Sequence, residues 1–188
     1  MNDTDDDSAL VARARLGDDD ACRHLVERHQ AAVARTVFGM LGSHDDADDV
    51  GQDTFVRFFQ SLDAFRGESS VRTYLVRIAM SGALNALRST RRRELRFVSD
   101  DAALSQAVDP SAEIALTDES RSTRIRAALD SLRPDHRAVV VLRLLDEHST
   151  KEAAEILRVP EGTVLSRLSR AVQQLRVTLG PVWEEFTG

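Results

Sequence analysis

Apolar residues recur at three- and four-residue spacing along most of the chain, and no segment alternates with the two-residue period of a half-buried strand. This pattern predicts helices over about 8–16, 19–41, 45–62 and 71–92 in the first half, and over about 119–132 and 134–145 in the second. In the second helix Leu25, Val33, Val37 and Leu41 form one stripe, with Cys22, Val26 and Met40 beside it. The third carries Ala47, Val50, Thr54, Phe55, Phe58 and Leu62, and the fourth carries Val71, Leu75, Ile78, Ala79 and Leu87. Gly17 and Gly42 end the first two helices, and Ser43 with Asp46 can cap the third. Residues 63–70, DAFRGESS, form a turn-rich loop. The segment 94–118 is polar, acidic and contains Asp109-Pro110, so it reads as a linker.

Residues 149–176 carry the most specific local pattern. Ser149 followed by Glu152 is a capping box, able to satisfy free N–H groups where a helix begins. Ala153, Ile156 and Leu157 give that short helix an apolar face, and Pro160 stops it while suiting the first turn of another. The next helix buries Val164, Leu168, Ala171 and Leu175, leaving Ser166, Arg167, Ser169, Arg170 and Gln173 outward or flanking. A short helix, a tight turn and a longer helix with an Arg/Ser/Gln face describe a helix-turn-helix. The expected fold class is therefore all-α, with two small helical domains joined by an acidic linker. Their spans are 1–93, 94–118 and 119–188, and the second domain ends in the helix-turn-helix.

Composition and charge then narrow the function. The chain has 188 residues, of ordinary globular composition, with no apolar run of membrane-spanning length. The acidic start lacks the basic and apolar parts of a secretory signal, so a cytoplasmic location without membrane insertion is expected. Cys22 is the single cysteine, which rules out an intrachain disulfide; it is expected to be a small core residue. A net charge of −6 looks unsuited to nucleic acid until it is divided along the chain. Residues 94–120 hold seven acids against one arginine, which equals the whole excess, whereas residues 121–188 are net basic by two. Affinity for nucleic acid follows local basic patches rather than the total.

Three clusters in the first half could carry chemistry. His44, Asp45, Asp46, Asp48, Asp49 and Asp53 could suggest a metal site, and with it a metal-dependent phosphohydrolase. Acids at a helix start are favoured by its dipole without metal, and the other histidines (His24, His29, His136 and His148) are scattered, so an acidic docking face is the stronger reading. The second cluster spans the loop and fourth helix: Phe65, Arg66, Gly67, Arg72, Thr73, Tyr74, Arg77, Asn85 and Arg88. Basic residues beside a stacking ring and a base-edge hydrogen bonder suit single-stranded nucleic acid, although an arginine-rich helix can also be a solvated face. The third is Arg91-Arg92-Arg93, which either ends the helix or clamps phosphates. No nucleophile–base pair, glycine-rich phosphate loop or paired-cysteine site is present, so no catalytic residue, cofactor or metal is expected.

Taken in order, these motifs resemble the extracytoplasmic-function sigma factors, the small two-domain initiation subunits of bacterial RNA polymerase. DDADDVGQDTFVRFFQSLDAFRG resembles the family's core-binding and promoter-melting segment, and SSVRTYLVRIAMSGALNALRSTRRR its −10-reading helix. LDSLRPDHRAVVVLRLLDEHSTKEAAEIL and VPEGTVLSRLSRAVQQLR resemble its −35-reading domain. The resemblance implies that Asp49, Gln52, Asp53 and Phe55 pack against the clamp helices of core RNA polymerase. It implies that the loop 63–70, with Phe65 and Arg66, holds a base flipped from the −10 element, beside Arg72, Thr73, Tyr74, Arg77, Asn85 and Arg88. It places Thr163, Ser166, Arg167, Ser169 and Arg170 against the −35 element of promoter DNA. An anti-sigma protein is a further implied partner. A conventional helix-turn-helix regulator with a dimerisation or sensing domain is the alternative, but it leaves the fourth helix unexplained.

Several positions depart from the family pattern. Ser81 stands where Asn is frequent, Asn85 where Asp is frequent, and Leu165 where Lys or Arg is frequent. Arg158 and Glu147 stand where Gly is common, and a left-handed backbone costs a non-Gly residue roughly 1 kcal/mol. A 25-residue linker has a coil span of about 28 Å. Promoter elements more than a helical turn apart (about 34 Å) would stretch it. In the free chain the domains should collapse together and bind promoter DNA weakly.

Overall fold

The computed structural model describes residues 3–42, 45–97, 118–180 and Trp183, and among them there are helices and connecting turns but no strand. Four helices make the first half: α1 (Asp3–Arg15), α2 (Asp19–Leu41), α3 (Asp45–Gln60) and α4 (Val71–Phe97), with a 3-10 turn at Leu62–Ala64 before α4. The second half holds α5 (Asp118–Ser131), α6 (Pro134–Val140), a π-helical continuation over Val141–Leu145, α7 (Thr150–Leu157) and α8 (Glu161–Leu179).

Three boundaries differ from those expected. α1 begins at Asp3, so its aspartates occupy the first turns, where the helix dipole favours them, instead of preceding the helix. Asp7 in that run is buried and accepts from Arg28 Nη1 (2.9 Å) and pairs with His29 Nε2 (3.0 Å), which ties α1 to α2. α3 stops at Gln60, and Leu62 belongs to the 3-10 turn. α4 runs on through Glu94–Phe97, residues assigned to the linker, because nothing from Arg91 to Phe97 is a helix breaker. Ser43 and its expected cap, His44, residues 98–117 and most of the tail lie outside the described residues.

The expected apolar stripes form the core. Leu25, Met40, Phe58, Leu75 and Met80 are fully enclosed where α2, α3 and α4 meet, and α1 covers them through Leu10, Val11 and Ala14. Gly82 lets α3 approach α4: a Cβ there would lie 3.0 Å from Val50 Cγ1. Cys22 is partly buried against this core, and burial, with Asp19 and Asp18 nearby, pushes its thiol pKa up, which disfavours the reactive thiolate. In the second half, Ala128, Leu129, Val140, Ala171 and Leu175 form a smaller core among α5, α6 and α8.

The two halves pack against each other through a specific interface. Gly39 of α2 faces the π-helical segment so closely that a Cβ would lie 3.0 Å from Val141 Cγ2. Arginines of the second half reach the last carbonyls of α2, of which Phe38 O already accepts from the capping Gly42 N at 2.8 Å. Arg126 Nη1 donates to Phe38 O (2.6 Å), and Arg137 Nη1 donates to Met40 O (2.7 Å) while its Nη2 donates to Asp130 O (2.8 Å). Thr36 Oγ1 donates to Asp146 Oδ2 (2.7 Å), and Arg72 Nη2 donates to Asp146 O (3.4 Å).

Two ionisable groups at this interface give stability a pH dependence. Burial pushes the Asp146 carboxyl above its ordinary value, against the opposing pull of the Thr36 hydrogen bond and of His148, Arg35 and Arg72. Burial likewise lowers His148, outweighing the upward pull of Asp146 and Glu152 and adding to the effect of Arg72 and Arg143. A histidine lowered from 6.5 is neutral when folded and gains its proton on unfolding, so its stabilising contribution is present above 6.5 and lost as pH falls through the folded value. Asp146 acts oppositely: its contribution is present at acid pH and is lost as pH rises through its raised value. The stability at about pH 7.5 less that at about pH 5.5 should be smaller in His148→Gln than in the wild type, whose difference also carries the opposing contribution of Asp146; chemical denaturation of both at the two pH values checks this.

Arg158 closes α7 in the left-handed region (φ 54, ψ 49), and Glu147 takes φ 58 just before the Ser149 cap. These are the two positions at which the sequence suggested strained substitutes for glycine. Arg158→Gly and Glu147→Gly should each stabilise the fold by about 0.5–1 kcal/mol, since relief of roughly 1–2 kcal/mol of strain is partly offset by unfolded-chain entropy. Chemical denaturation of each variant checks this.

Candidate nucleic-acid interface

The first candidate surface is a loop held at both ends. Ser61 ends α3, the 3-10 turn follows, and Phe65 then turns its ring inward, 9% exposed. That ring meets Tyr74 edge-on at 5.0 Å and Phe58 at 6.3 Å, so aromatic packing fixes the root of the loop. Tyr74 OH donates to Ser61 Oγ (3.2 Å), which joins the far end of α3 to the first turn of α4. Arg66, Gly67 and Glu68 are exposed, with Gly67 at φ +72. At the other end Ser70 Oγ accepts from Thr73 N (3.1 Å) and lies 2.9 Å from Thr73 Oγ1. Thr73 is buried by this capping arrangement.

From there α4 presents a basic face. Arg77 lies over the Tyr74 ring, 4.8 Å from its centroid, which orients both groups by cation–π attraction. Asn85 and Arg88 are exposed about two and three turns further along and share a 3.4 Å hydrogen bond. Arg91, Arg92 and Arg93 are exposed and helical. Arg72 is exposed on the opposite side of the turn and reaches the second half through Asp146 O. Arg66, Tyr74, Arg77, Asn85 and Arg88 therefore lie along one loop-and-helix edge, whereas Phe65 and Thr73, expected to touch DNA, are both buried and support that edge from within.

The second candidate surface is α8. The capping box at α7 is complete: Ser149 N donates to Glu152 Oε2 (2.8 Å) and Glu152 N to Ser149 Oγ (3.2 Å). The Glu152 carboxyl is held below its usual range by the Ser149 hydrogen bonds. Val164, Ala171 and Leu175 are buried, and Leu168 is half-buried, as the spacing required. Ser166, Ser169 and Arg170 are exposed, and Thr163 and Arg167 are half-buried. Arg167 Nε stands 3.6 Å from Asp135 Oδ2. Leu165 is 54% exposed on this polar face, so nothing in the fold requires a leucine there.

The third surface is the exposed side of α3. Asp49, Gln52 and Asp53 are exposed, and Asp53 pairs with Arg57 at 2.7 Å. Phe55 is half-buried against the core and Val56 is 51% exposed, giving an acidic face with apolar contacts beside it. Among the described residues no group of three or more His, Cys, Asp or Glu is arranged to hold a metal ion, and His44 lies outside them. No helix among the described residues is long and apolar enough to cross a membrane.

Ser61, Ser70 and Arg15 shape the first surface without having been singled out from the sequence. The Ser70-x-x-Thr73 spacing was a legible capping signal, whereas Ser61 and Arg15 act across the fold, where no local pattern marks them.

Residues 25–93 match the family model for Sigma-70 region 2, and residues 122–175 match that for Sigma-70, region 4. The chain is 35% identical over 185 residues to the ECF RNA polymerase sigma-E factor of Escherichia coli (strain K12), covering 94% of this chain and 95% of that protein. It is 32% identical over 186 residues to the sigma-E factor of Haemophilus influenzae, covering 94% and 96%. Among solved structures, CnrH in complex with the cytosolic domain of CnrY superposes with a TM-score of 0.68 at 28% identity, covering 92% of this chain and 96% of that one. The sigma factor RpoE of Bartonella quintana, in complex with the anti-sigma factor NepR, gives 0.67 at 25% identity, covering 85% and 96%. The match to region 2 also accounts for the fourth helix, which a conventional regulator left unexplained. Two matched sigma modules in order, with near-complete coverage of the relatives, leave one conclusion: this chain belongs to the extracytoplasmic-function family of RNA polymerase sigma factors.

Proposed function

We propose that the three surfaces divide the work of promoter selection in the cytoplasm, without covalent chemistry or a cofactor. The acidic face of α3, with Asp49, Gln52, Asp53 and Phe55, docks on the clamp helices of core polymerase. The loop 63–70 and the α4 edge take an unstacked −10 base, with Tyr74 and Arg77 offering a stacking platform and a cation. α8 enters the major groove of the −35 element, where Arg167 and Arg170 meet phosphates or base edges and Thr163, Ser166 and Ser169 donate hydrogen bonds. Base extrusion costs a few kcal/mol, and a pocket already in shape offsets it by stacking and hydrogen bonding. The single observation carrying this reading is the aromatic cluster of Phe58, Phe65 and Tyr74, which fixes an exposed loop beside the arginine edge of α4. The complex in which RpoE is seen with the anti-sigma factor NepR supports an anti-sigma protein as a further partner.

Arg72, exposed on α4, also reaches Asp146 O of the second half at 3.4 Å, a contact that parting of the halves would release.

Holoenzyme carrying Arg170→Ala should lose about 1–3 kcal/mol of promoter affinity, with relaxed selectivity at the −35 element alone. Its log-affinity against log-salt slope should fall by about 0.9 if the lost contact is a phosphate. Arg77→Ala should instead weaken −10 opening and leave −35 selectivity intact. Wild-type affinity and selectivity in both variants would contradict the assignment.

A further inference from the structure

We infer that Arg15, at the end of α1, is a positioning residue for −10 base capture. This rests on the reading of loop 63–70 given above. Arg15 lies 47 residues before the turn it contacts and outside both segments matched by the family models. Its guanidinium donates from Nε (3.1 Å) and Nη2 (3.0 Å) to Leu62 O, and from Nη2 to Phe65 O. Leu62 O is also the acceptor that closes the 3-10 turn, from Phe65 N at 3.2 Å. One planar cation therefore fixes the peptide groups at both ends of the turn from which Arg66 departs.

The opposite end of the loop is fixed independently. Tyr74 N donates to Ser70 O (3.0 Å) and Thr73 N to Ser70 Oγ (3.1 Å), so Ser70 is set by the first turn of α4. Only Arg66, Gly67, Glu68 and Ser69 span the gap between these two hydrogen-bonded posts. The Phe65 ring is held by Phe58 and Tyr74, but ring packing leaves the backbone carbonyl free to rotate; Arg15 removes that freedom. A loop ordered before the base arrives does not incur the ordering cost on capture. Arg15 touches no DNA in this scheme and acts through the loop.

The test uses full-length protein bound to core polymerase, with a fork template whose −10 strand is already single and carries 2-aminopurine at the captured base. Arg15→Gln should weaken capture about tenfold, within the hundredfold that a misplacement of about 1 Å can cost. Affinity for core polymerase and for a −35 duplex should stay within about twofold of wild type, a split that general instability would not produce. Arg15→Lys, which keeps the charge but makes fewer contacts, should fall between, and it remains informative if the Gln variant folds poorly. Arg13→Gln is the control on the same helix: Arg13 pairs with Asp18 at the α1–α2 turn (2.7 Å), and capture should be unchanged. Arg66→Ala separates the two levels of the claim. Normal capture in Arg15→Gln with loss in Arg66→Ala overturns the role of Arg15 and leaves the loop reading standing. Normal capture in both removes the loop reading, and this inference with it.

Discussion

Phe58→Ala should cost about 3–5 kcal/mol of stability, the range for emptying a large aromatic site. Phe58 has no exposed surface and touches Phe59, Phe65 and Tyr74, with centroids 5.3, 6.3 and 6.1 Å away. Its loss opens a cavity directly beneath the loop, and the two rings that fix the loop would tilt toward it. The melting temperature should fall by about 6–20 °C, taking about 2–4 °C per kcal/mol for a chain of this size. The more telling result lies below that transition, where folded variant should still bind a −35 duplex but open the −10 element poorly. Phe58→Leu, which refills most of the volume without a ring, should recover much of the stability and less of the opening. Equal recovery of both would mean that the cluster serves packing alone.

Gly39→Leu should drive the two halves apart. A Cβ at Gly39 already falls 3.0–3.1 Å from both methyls of Val141, and the longer side chain would strike Leu145 as well. Overpacking of this kind costs about 1–3 kcal/mol, and here the strain is relieved by opening the interface instead of by repacking one core. Small-angle scattering should report a larger radius of gyration, and unfolding should lose its single cooperative step. If the packed form limits promoter binding by the free chain, affinity should rise with the population of the open form, about tenfold for each 1.4 kcal/mol lost from the interface. A more extended chain with unchanged affinity would show that ordering of the linker, and not interdomain packing, keeps the free chain weak.

Local signals were the legible part of this fold. The Ser149/Glu152 pair, the apolar stripe of α8 and the left-handed positions at Glu147 and Arg158 all depend on residues within a turn or two of one another, and the structure contains each of them. Boundaries were less legible where sequence offers no breaker. Three successive arginines suggested the end of α4, but arginine is a good helix former and the helix continues to Phe97. The π-helical segment at Val141–Leu145 has no distinct signature, because a run of Val and Leu suits any buried helix. Thr73 shows a further limit: beside Arg72 and Tyr74 it resembles a nucleic-acid contact, yet it packs inward with Ser70. The interdomain contacts were beyond local reading, since Thr36 and Asp146 stand 110 residues apart and meet only once both cores have formed.

The most direct test is transcription reconstituted from purified core polymerase, this chain and fragmented genomic DNA, with start sites mapped. The expected result is a stable complex with core and a discrete set of new starts sharing one −10 and one −35 element, altered at −10 by Arg77→Ala and at −35 by Arg170→Ala. No association with core and no gain in starting specificity would contradict the account.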